Sequence, residues 1–217
     1  MKFAALLLDL DGTLLDTAAD FHHVLNKLLK REGRPEASYQ DIRKVVSHGA
    51  RAMVSMGFKM PESHPDFARL REDFLAIYGT HYAVKTCLFE GFAEVLSFCD
   101  NEKIPWGIIT NKPSAFAEPL WRDLNLPFKL GCLVCPDHVN RAKPDPEPMH
   151  LAADIVGVNS ADCLYVGDHE RDIIAGKAAS MKTAVANWGY FDDTDTPDQW
   201  GADFSLNDPR DIINLFK

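Results

Sequence analysis

The chain has 217 residues, of which 46% are hydrophobic and 25% charged, and its formal net charge is −9 at pH 7. That length suffices for a substantial core in one domain or in one domain with an insert, and no apolar run reaches the length of a membrane span. The negative charge argues against nucleic acid as a main partner, and an anionic ligand would need local positive charge to attract it.

The first predicted element is a buried strand that ends in two carboxylates. The apolar run from Phe3 to Leu8 is typical of a strand covered on both faces, and Asp9 and Asp11 follow it one residue apart. Carboxylates so close repel each other unless a cation lies between them, and Mg²⁺ prefers oxygen ligands of this kind. Gly12 permits a sharp turn with amides that can point at an anion. The stretch therefore indicates a site for metal and phosphate.

A helical segment follows this strand. Thr17 is predicted to cap a helix that runs to about Arg31 with apolar residues at three-to-four spacing. Because no strand pattern occurs before about residue 86, we predict an inserted all-helical cap domain over residues 17–86, with residues 1–16 and 87–217 forming the core. Further helices of this segment are expected at residues 39–47, about 51–56 and about 65–82.

After residue 86 the pattern alternates between helix and strand. Short apolar runs bounded by turn residues indicate strands, and amphipathic stretches between them indicate helices. Such alternation is typical of a parallel sheet covered on both faces, so the predicted fold class is α/β. The strands are expected at residues 106–110, 131–135, 163–166, 183–186 and 203–205, and the helices at 91–101, 114–124, 146–156, 172–179 and 208–216.

Polar residues that suit phosphate and metal chemistry follow the later strands. Thr110 and Asn111 end one strand, where a hydroxyl and a backbone amide can donate to phosphate oxygens. Lys143 stands in a Lys-Pro-Asp-Pro segment, and its compact positive charge suits phosphate or a nucleophilic carboxylate. Asp168 and Asp172 form a Gly-Asp-x-x-x-Asp pattern at a third strand end. Ligands of open α/β sheets bind at this edge, so one shared site is expected.

These segments resemble, in chain order, the four motifs of the haloacid dehalogenase (HAD) superfamily of phosphohydrolases. The segments are Asp9 to Thr13, Thr110-Asn111, Lys143 to Pro146 and Gly167 to Asp172. With a helical insert after the first motif, the chain resembles the phosphoglycolate phosphatase-like branch of that superfamily. The resemblance implies a Rossmann-like parallel-sheet core with a helical cap, and a phosphoric monoester hydrolase that works through an aspartyl-phosphate.

The resemblance also implies roles for individual residues. Asp9 would be the nucleophile and Asp11 the general acid and base, assisted by Thr110 and Lys143. Mg²⁺ would be held by Asp9, the Asp11 backbone carbonyl and Asp168. Asp172 would lie outside the direct metal ligands and would support the metal or the lysine from there. The residues implied in phosphoryl binding are Gly12, Thr110, Asn111 and Lys143.

Further candidates lie in the cap and beside the motifs. His48, Gly49 and Arg51 occupy a loop similar in placement to the substrate-specificity segment of the family's caps, where Arg51 could hold a substrate carboxylate. His169 departs from the family, which commonly carries a small hydroxyl residue there, and this leaves its role toward substrate or metal-bound water open. Arg141 is the second choice after Lys143 for the phosphate-binding cation.

The expected activity is that of a Mg²⁺-dependent phosphatase for a small phosphomonoester, most like phosphoglycolate phosphatase. A phosphatase for N-acetylmuramic acid 6-phosphate or another sugar phosphate is the alternative. A phosphosugar mutase and a non-catalytic phosphate-binding module are further alternatives. Dehalogenation is disfavoured because Asp11 and Gly12 fit phosphoryl transfer.

The expected partner is the small-molecule substrate alone, with no nucleic acid and no membrane, for a monomer or a homodimer. Met1 leads directly into the strand that carries Asp9, and a cleaved signal peptide would remove that strand. A cytoplasmic location is therefore expected.

The C-x-x-C pair of Cys132 and Cys135 raises the alternative of a zinc or redox site. A tetrahedral zinc site needs four ligands, and the sequence offers no second cluster. If residues 131–135 form a strand, the two sulfurs point to opposite faces. We therefore predict that both cysteines are buried small side chains.

Overall fold

A six-stranded parallel sheet is the centre of the protein, as seen in a computed structural model that describes residues 3–217. The strands are β1 (Ala5–Leu8), β2 (Leu15–Asp16), β3 (Cys87–Leu88), β4 (Trp106–Ile109), β5 (Cys132–Val134), β6 (Cys163–Gly167), β7 (Lys182–Ala186) and β8 (Phe204–Leu206). The sheet order is β5-β4-β1-β6-β7-β8, and every neighbouring pair is parallel. The predicted α/β class is confirmed. The short antiparallel pair of β2 and β3 was not predicted.

The helices of residues 3–217 fall into two groups along the chain. Four of them lie between β2 and β3, and the others alternate with the strands of the sheet. None within the described residues is long and apolar enough to cross a membrane. They are α1 (Ala18–Arg31), α2 (Tyr39–Val45), α3 (Gly49–Phe58), α4 (Phe67–Tyr78), α5 (Phe92–Glu102), α6 (Ser114–Leu124), α7 (Glu147–Val156), α8 (Glu170–Ala178) and α9 (Asp211–Phe216).

Strand β1 is buried on both faces, which explains its continuously apolar sequence. Successive side chains of a strand point to opposite faces of the sheet. Leu6 and Leu8 pack into the apolar cluster on one face, whereas Ala5 and Leu7 pack into the cluster on the other. The end of this central strand is therefore the middle of the sheet's ligand-binding edge.

Helices α1 to α4 pack around an apolar cluster of their own. Its centre includes the stacked rings of Phe21 and Tyr78, whose centroids are 4.5 Å apart. Helix α4 is shorter than the predicted 65–82, because Gly79 and Thr80 turn the chain after Tyr78, and the Thr80 hydroxyl donates to the Ile77 carbonyl. Helix α3 is longer than predicted at both ends.

The start of α1 corrects one expectation about helix capping. Thr17 is the N-cap residue, but its buried hydroxyl has no hydrogen-bond partner among the described residues. Instead, the backbone amides of Thr17 and Ala18 donate to the Tyr190 hydroxyl at 2.7 and 3.0 Å, and that hydroxyl donates to Asp16 at 2.6 Å. The first amides of a helix have no acceptor within the helix, and here a residue 173 positions away supplies it.

We predict that Tyr190→Phe lowers the free energy of unfolding by about 1–3 kcal/mol, because it leaves the Thr17 amide without an acceptor and the Ala18 amide with only its 3.3 Å bond to Asp16. Urea titration followed by circular dichroism measures the change. Tyr39→Phe, which removes a hydroxyl from a residue that is 39% exposed, is the matched control and should have little effect. Equal stabilities for the two variants would contradict the capping role of Tyr190.

Candidate active site

The carboxyl ends of three adjacent strands bring the predicted site residues together. Asp9 follows β1, Thr110 follows β4 and Asp168 follows β6, and β1 lies between the other two in the sheet. Lys143 reaches the same point from the loop between β5 and α7. All four side chains are buried. The sheet edge proposed from the sequence is therefore where these residues meet.

The Lys143 ammonium contacts several buried polar groups at this edge. Its ammonium lies 2.8 Å from a carboxylate oxygen of Asp9 and 2.8 Å from one of Asp172. It also donates to the Ile109 carbonyl and to the Tyr165 hydroxyl, both at 2.8 Å. Burial favours the neutral amine, but the two carboxylates outweigh it and raise the pKa of Lys143 above its usual range. The lysine therefore stays charged.

Three buried carboxylates cluster around that single ammonium. Oxygens of Asp9, Asp168 and Asp172 lie within 4.8 Å of one another. Burial raises the pKa of Asp9 to about 6, against the opposing effect of Lys143. Burial, reinforced by Asp9 and Asp172, raises the pKa of Asp168 to about 8. Three carboxylates outnumber Lys143 and Arg171, the two cations that act on Asp9 and Asp172, so the composition of the group fits a hard divalent cation held by carboxylate oxygens.

Asp172 differs from the other two carboxylates because its oxygens are engaged by the protein. Burial alone would raise its pKa, but Lys143 and Arg171 lower the pKa of Asp172 below its usual range. One oxygen faces the Lys143 ammonium, and the other accepts from the His169 amide at 3.1 Å. Asp172 is therefore arranged to orient the lysine.

Asp168 is held in place by donors from three parts of the chain. The Thr13 hydroxyl donates to it at 3.1 Å, the Ser47 hydroxyl at 3.0 Å and the Tyr190 amide at 2.9 Å. Ser47 belongs to the helical segment, so that segment directly contacts a candidate metal ligand. No sequence pattern indicates a role for Ser47, since an isolated serine between helices is ordinary.

Gly12 has a steric role at the site. Its φ is +88°, and a Cβ there would lie 2.1 Å from an Asp168 carboxylate oxygen, so only glycine fits. Its amide donates to the Leu15 carbonyl at 3.0 Å. That amide is thus engaged in the turn, and phosphate binding at Gly12 stays a prediction.

Asp11 is paired with a buried lysine that the sequence analysis missed. The Lys112 ammonium lies 3.1 and 3.2 Å from the two Asp11 oxygens, and 4.7 Å from the ring centres of Phe21 and Tyr78. Burial favours its neutral form, but Asp11 outweighs burial and raises the pKa of Lys112 above its usual range. The position of Lys112 directly after Thr110-Asn111 was the indication in the sequence that it belongs to the site. A sequence alone, however, does not distinguish a buried lysine from a solvated one.

Thr110 and Asn111 lie where the sequence predicts, with contacts of their own. The Thr110 hydroxyl oxygen accepts from the Lys112 amide at 3.0 Å, and the Asn111 side chain donates to the Lys143 carbonyl at 3.0 Å. Asn111 thus helps to fix the segment that carries Lys143. Arg141 instead pairs at the surface with Asp145, at 3.1 Å.

A cavity of about 330 Å³ opens above these residues. Asp9, Asp11 and Thr110 line it on the sheet side, and His48, Gly49 and Arg51 on the helical side. The Arg51 guanidinium pairs with exposed Glu62, and His48 Nε2 is 3.5 Å from an Asp192 oxygen. The loop predicted to face the substrate is therefore part of the cavity wall.

His169, the residue that departs from the family pattern, caps α8. Its Nδ1 accepts from the Arg171 amide at 3.2 Å, and its ring is 5.1 Å from that of His48. Burial, with a contribution from Arg171, lowers the pKa of His169 to about 4. The imidazole is therefore neutral at physiological pH.

The cysteines behave as the sequence predicts. Cys132 and Cys135 are buried on opposite faces of the sheet, in separate apolar clusters. Burial raises the pKa of Cys132 to about 11 and that of Cys135 to about 12, so both are neutral thiols. All five cysteines are free.

Comparison with known proteins identifies similar sequences and folds. A family model described as haloacid dehalogenase-like hydrolase matches residues 6–186. An N-acetylmuramic acid 6-phosphate phosphatase of Pseudomonas aeruginosa is 42% identical over 99% of this chain and 95% of its own. A phosphoglycolate phosphatase of Xanthomonas campestris is 38% identical over 98% of this chain and 96% of its own.

Solved structures agree on the fold. The crystal structure of a predicted phosphoglycolate phosphatase from Haemophilus somnus has a TM-score of 0.87 with this chain, and the likeness covers 100% of this chain and 99% of that one. The two sequences are 21% identical, so this likeness concerns the fold alone. A HAD-superfamily hydrolase from Geobacter sulfurreducens has a TM-score of 0.78 at 22% identity, covering 99% of this chain and 97% of its own.

We predict that the cation-free protein loses stability as the pH rises from 6 to 8. Asp168 has a pKa of about 8 when folded and near 3.8 when unfolded, so in this window the folded state binds more protons. The loss attributable to this group is about 2 kcal/mol, and Mg²⁺ should restore more stability at pH 8 than at pH 6.

Thermal unfolding with EDTA and with Mg²⁺ measures both effects. Asp168→Asn keeps an acceptor oxygen for the neighbouring donors but cannot ionise, so it should lose most of the pH slope and the protection by Mg²⁺. A variant that keeps the wild-type slope and protection would contradict the assignment to Asp168.

Proposed function

The chain belongs to the haloacid dehalogenase-like hydrolase family, and from that premise we propose that it is a Mg²⁺-dependent phosphatase in which Asp9 attacks a small phosphomonoester. The observation that carries the proposal is the Asp9 carboxylate at the centre of the sheet edge, 2.8 Å from a charged lysine. The nearby Asp11 carboxylate supplies the second group that the reaction needs. Phosphomonoester hydrolysis is also the activity named for the relatives that are 42% and 38% identical.

In the first half of the reaction, a carboxylate oxygen of Asp9 bonds to phosphorus and the ester oxygen leaves. Protonated Asp11 gives its proton to that leaving oxygen. In the second half, ionised Asp11 takes a proton from water, which attacks phosphorus and releases Asp9 and inorganic phosphate. Lys112, bonded to both Asp11 oxygens, holds this group in place in its ionised form, which is the form that takes the proton from water.

The remaining residues stabilise the charge that develops on the phosphoryl group. Lys143 and the Thr110 hydroxyl bind phosphoryl oxygens, with Asn111 fixing the Lys143 segment. Asp9, the Asp11 carbonyl and Asp168 would hold Mg²⁺, which when bound neutralises negative charge on the phosphoryl oxygens. Asp172 keeps Lys143 charged and oriented.

We further propose that residues 17–86 act as a cap that closes the site. Three contacts support this role: Ser47 donates to Asp168, Arg171 donates to the Ser47 carbonyl, and Arg43 donates to the Trp188 carbonyl at 2.8 Å. A closed cap keeps bulk water from the Asp9 phosphoester until Asp11 can activate one molecule.

The names of the relatives suggest two esters as the first substrates to test. N-acetylmuramic acid 6-phosphate is named for relatives that are 42% and 43% identical, and phosphoglycolate for others at 38%. Release of inorganic phosphate from each, with Mg²⁺ and with EDTA, tests the function. We expect Asp9→Asn to lower kcat by at least about 10³-fold, because the nucleophile is lost.

The experiment has a clear opposing result. No phosphate release from either ester, or undiminished release by Asp9→Asn, would refute the phosphatase proposal. Glu102→Gln, a change at an exposed carboxylate of α5 away from the cavity, is the control for the loss of one negative charge and should leave kcat unchanged.

Lys112→Met tests the positioning of Asp11. We expect kcat to fall about 10- to 100-fold with a smaller change in KM, because the variant keeps the packing on Phe21 but lets Asp11 rotate away from the leaving oxygen. Steady-state kinetics measure the split. Lys44→Met, at an exposed lysine paired with Asp193, is the matched control. Unchanged kcat in Lys112→Met would contradict the role.

A further inference from the structure

Arg71 lies in the cavity wall without a counter-charge. Its Nε is buried and has no hydrogen-bond partner, and no carboxylate within residues 3–217 lies within 4.0 Å of its guanidinium. Of the other cations in the cavity wall, Arg51 pairs with Glu62 and Lys112 with Asp11. Arg171, whose Nε also has no hydrogen-bond partner among the described residues, donates instead to the Ser47 carbonyl. A partly buried guanidinium that lacks a partner is costly unless an anion occupies the adjacent space.

The position of Arg71 along α4 sets its distance from the reacting group. Arg71, Phe74, Leu75 and Tyr78 follow the spacing of one helix face, and all four line the cavity. Tyr78 meets Lys112, whose ammonium pairs with Asp11 at the reacting end. Seven residues of α-helix span about 10 Å, so Arg71 lies about that far from the Tyr78 end of the cavity.

Aromatic rings line the cavity around Tyr78. Phe21, Phe74 and Phe116 offer apolar faces, and Tyr78 adds a hydroxyl with no hydrogen-bond partner among the described residues. Burial raises the pKa of Tyr78 to about 12, so this hydroxyl remains a neutral donor. Such a wall suits a ring with carbon faces and polar substituents. A two-carbon glycolate offers one methylene and cannot span the distance to Arg71.

We propose that Arg71 binds a carboxylate at the far end of a ring-sized phosphomonoester, so that the substrate is the phosphate ester of a sugar acid. The assignment rests on the proposed phosphatase function and deepens it. One guanidinium matches the single charge of one carboxylate, which it can bind through two parallel hydrogen bonds. Arg171 is not placed to bind this carboxylate. It directly precedes Asp172, and it donates to the Ser47 carbonyl beside the reacting group.

Two sugar phosphates that differ by the acid group provide the test. N-acetylmuramic acid 6-phosphate carries a lactyl carboxylate, and N-acetylglucosamine 6-phosphate is the same ester without the lactyl group. We expect the wild type to prefer the acid, mainly through KM. Arg71→Gln should lower kcat/KM for the acid about 10- to 100-fold and change it little for the neutral ester. Arg71→Lys should recover part of the loss.

Arg69→Gln is the matched control, because Arg69 is exposed on the same helix and pairs with Glu32 and Asp73. It should leave both esters unaffected. Unchanged turnover of the neutral ester by Arg71→Gln shows that the variant is folded. Equal losses on both esters, or no preference in the wild type, would overturn the assignment.

A binding measurement separates this inference from the proposed function. Calorimetry of the two esters with Asp9→Asn and with Asp9→Asn/Arg71→Gln requires no turnover. If the second change weakens binding of the acid alone, Arg71 has the assigned role even if the wild type proves to hydrolyse neither ester. If it weakens both esters equally or neither, the assignment fails whatever the activity of the wild type.

Discussion

The burial of several carboxylates around one ammonium is the constraint on which the structure depends. Asp9, Asp168 and Asp172 lie out of water at the centre of the molecule, where unpaired charge is strongly unfavourable. Lys143 offsets part of this cost, because its ammonium lies 2.8 Å from Asp9 and 2.8 Å from Asp172. Burial is the main cause of the raised pKa values of Asp9 and Asp168, and the neighbouring carboxylates add to it. The Mg²⁺ of the proposed function would balance the remaining negative charge.

The sheet and the helical segment supply different parts of this arrangement. The sheet fixes the reacting groups on the ends of adjacent strands, where packing on both faces limits their movement. The helical segment contributes the cavity wall and reaches the core through Ser47. In the proposed function, reaction chemistry and substrate choice would therefore reside in separate stretches of chain.

Features carried by local sequence could be predicted, whereas long-range partners could not. Asp9 and Asp168 were identifiable because a buried apolar strand ends abruptly in carboxylates. The Asp11 partner Lys112 is 101 residues away, and the Tyr190 cap of α1 is 173 residues away. Neither residue type has a local pattern that reveals burial. At Gly12 the sequence indicated the sharp turn that needs glycine. It did not indicate the hydrogen-bond partner of the Gly12 amide, because that partner depends on the geometry of the turn.

The central claim is that Asp9 becomes phosphorylated, and chemical trapping tests it most directly. Borohydride reduction of the protein during turnover converts an aspartyl-phosphate into homoserine, which peptide mass spectrometry can locate. The account predicts modification at Asp9, dependent on both substrate and Mg²⁺. Modification at Asp11 instead, or an unmodified Asp9 in protein that is turning over substrate, would contradict it.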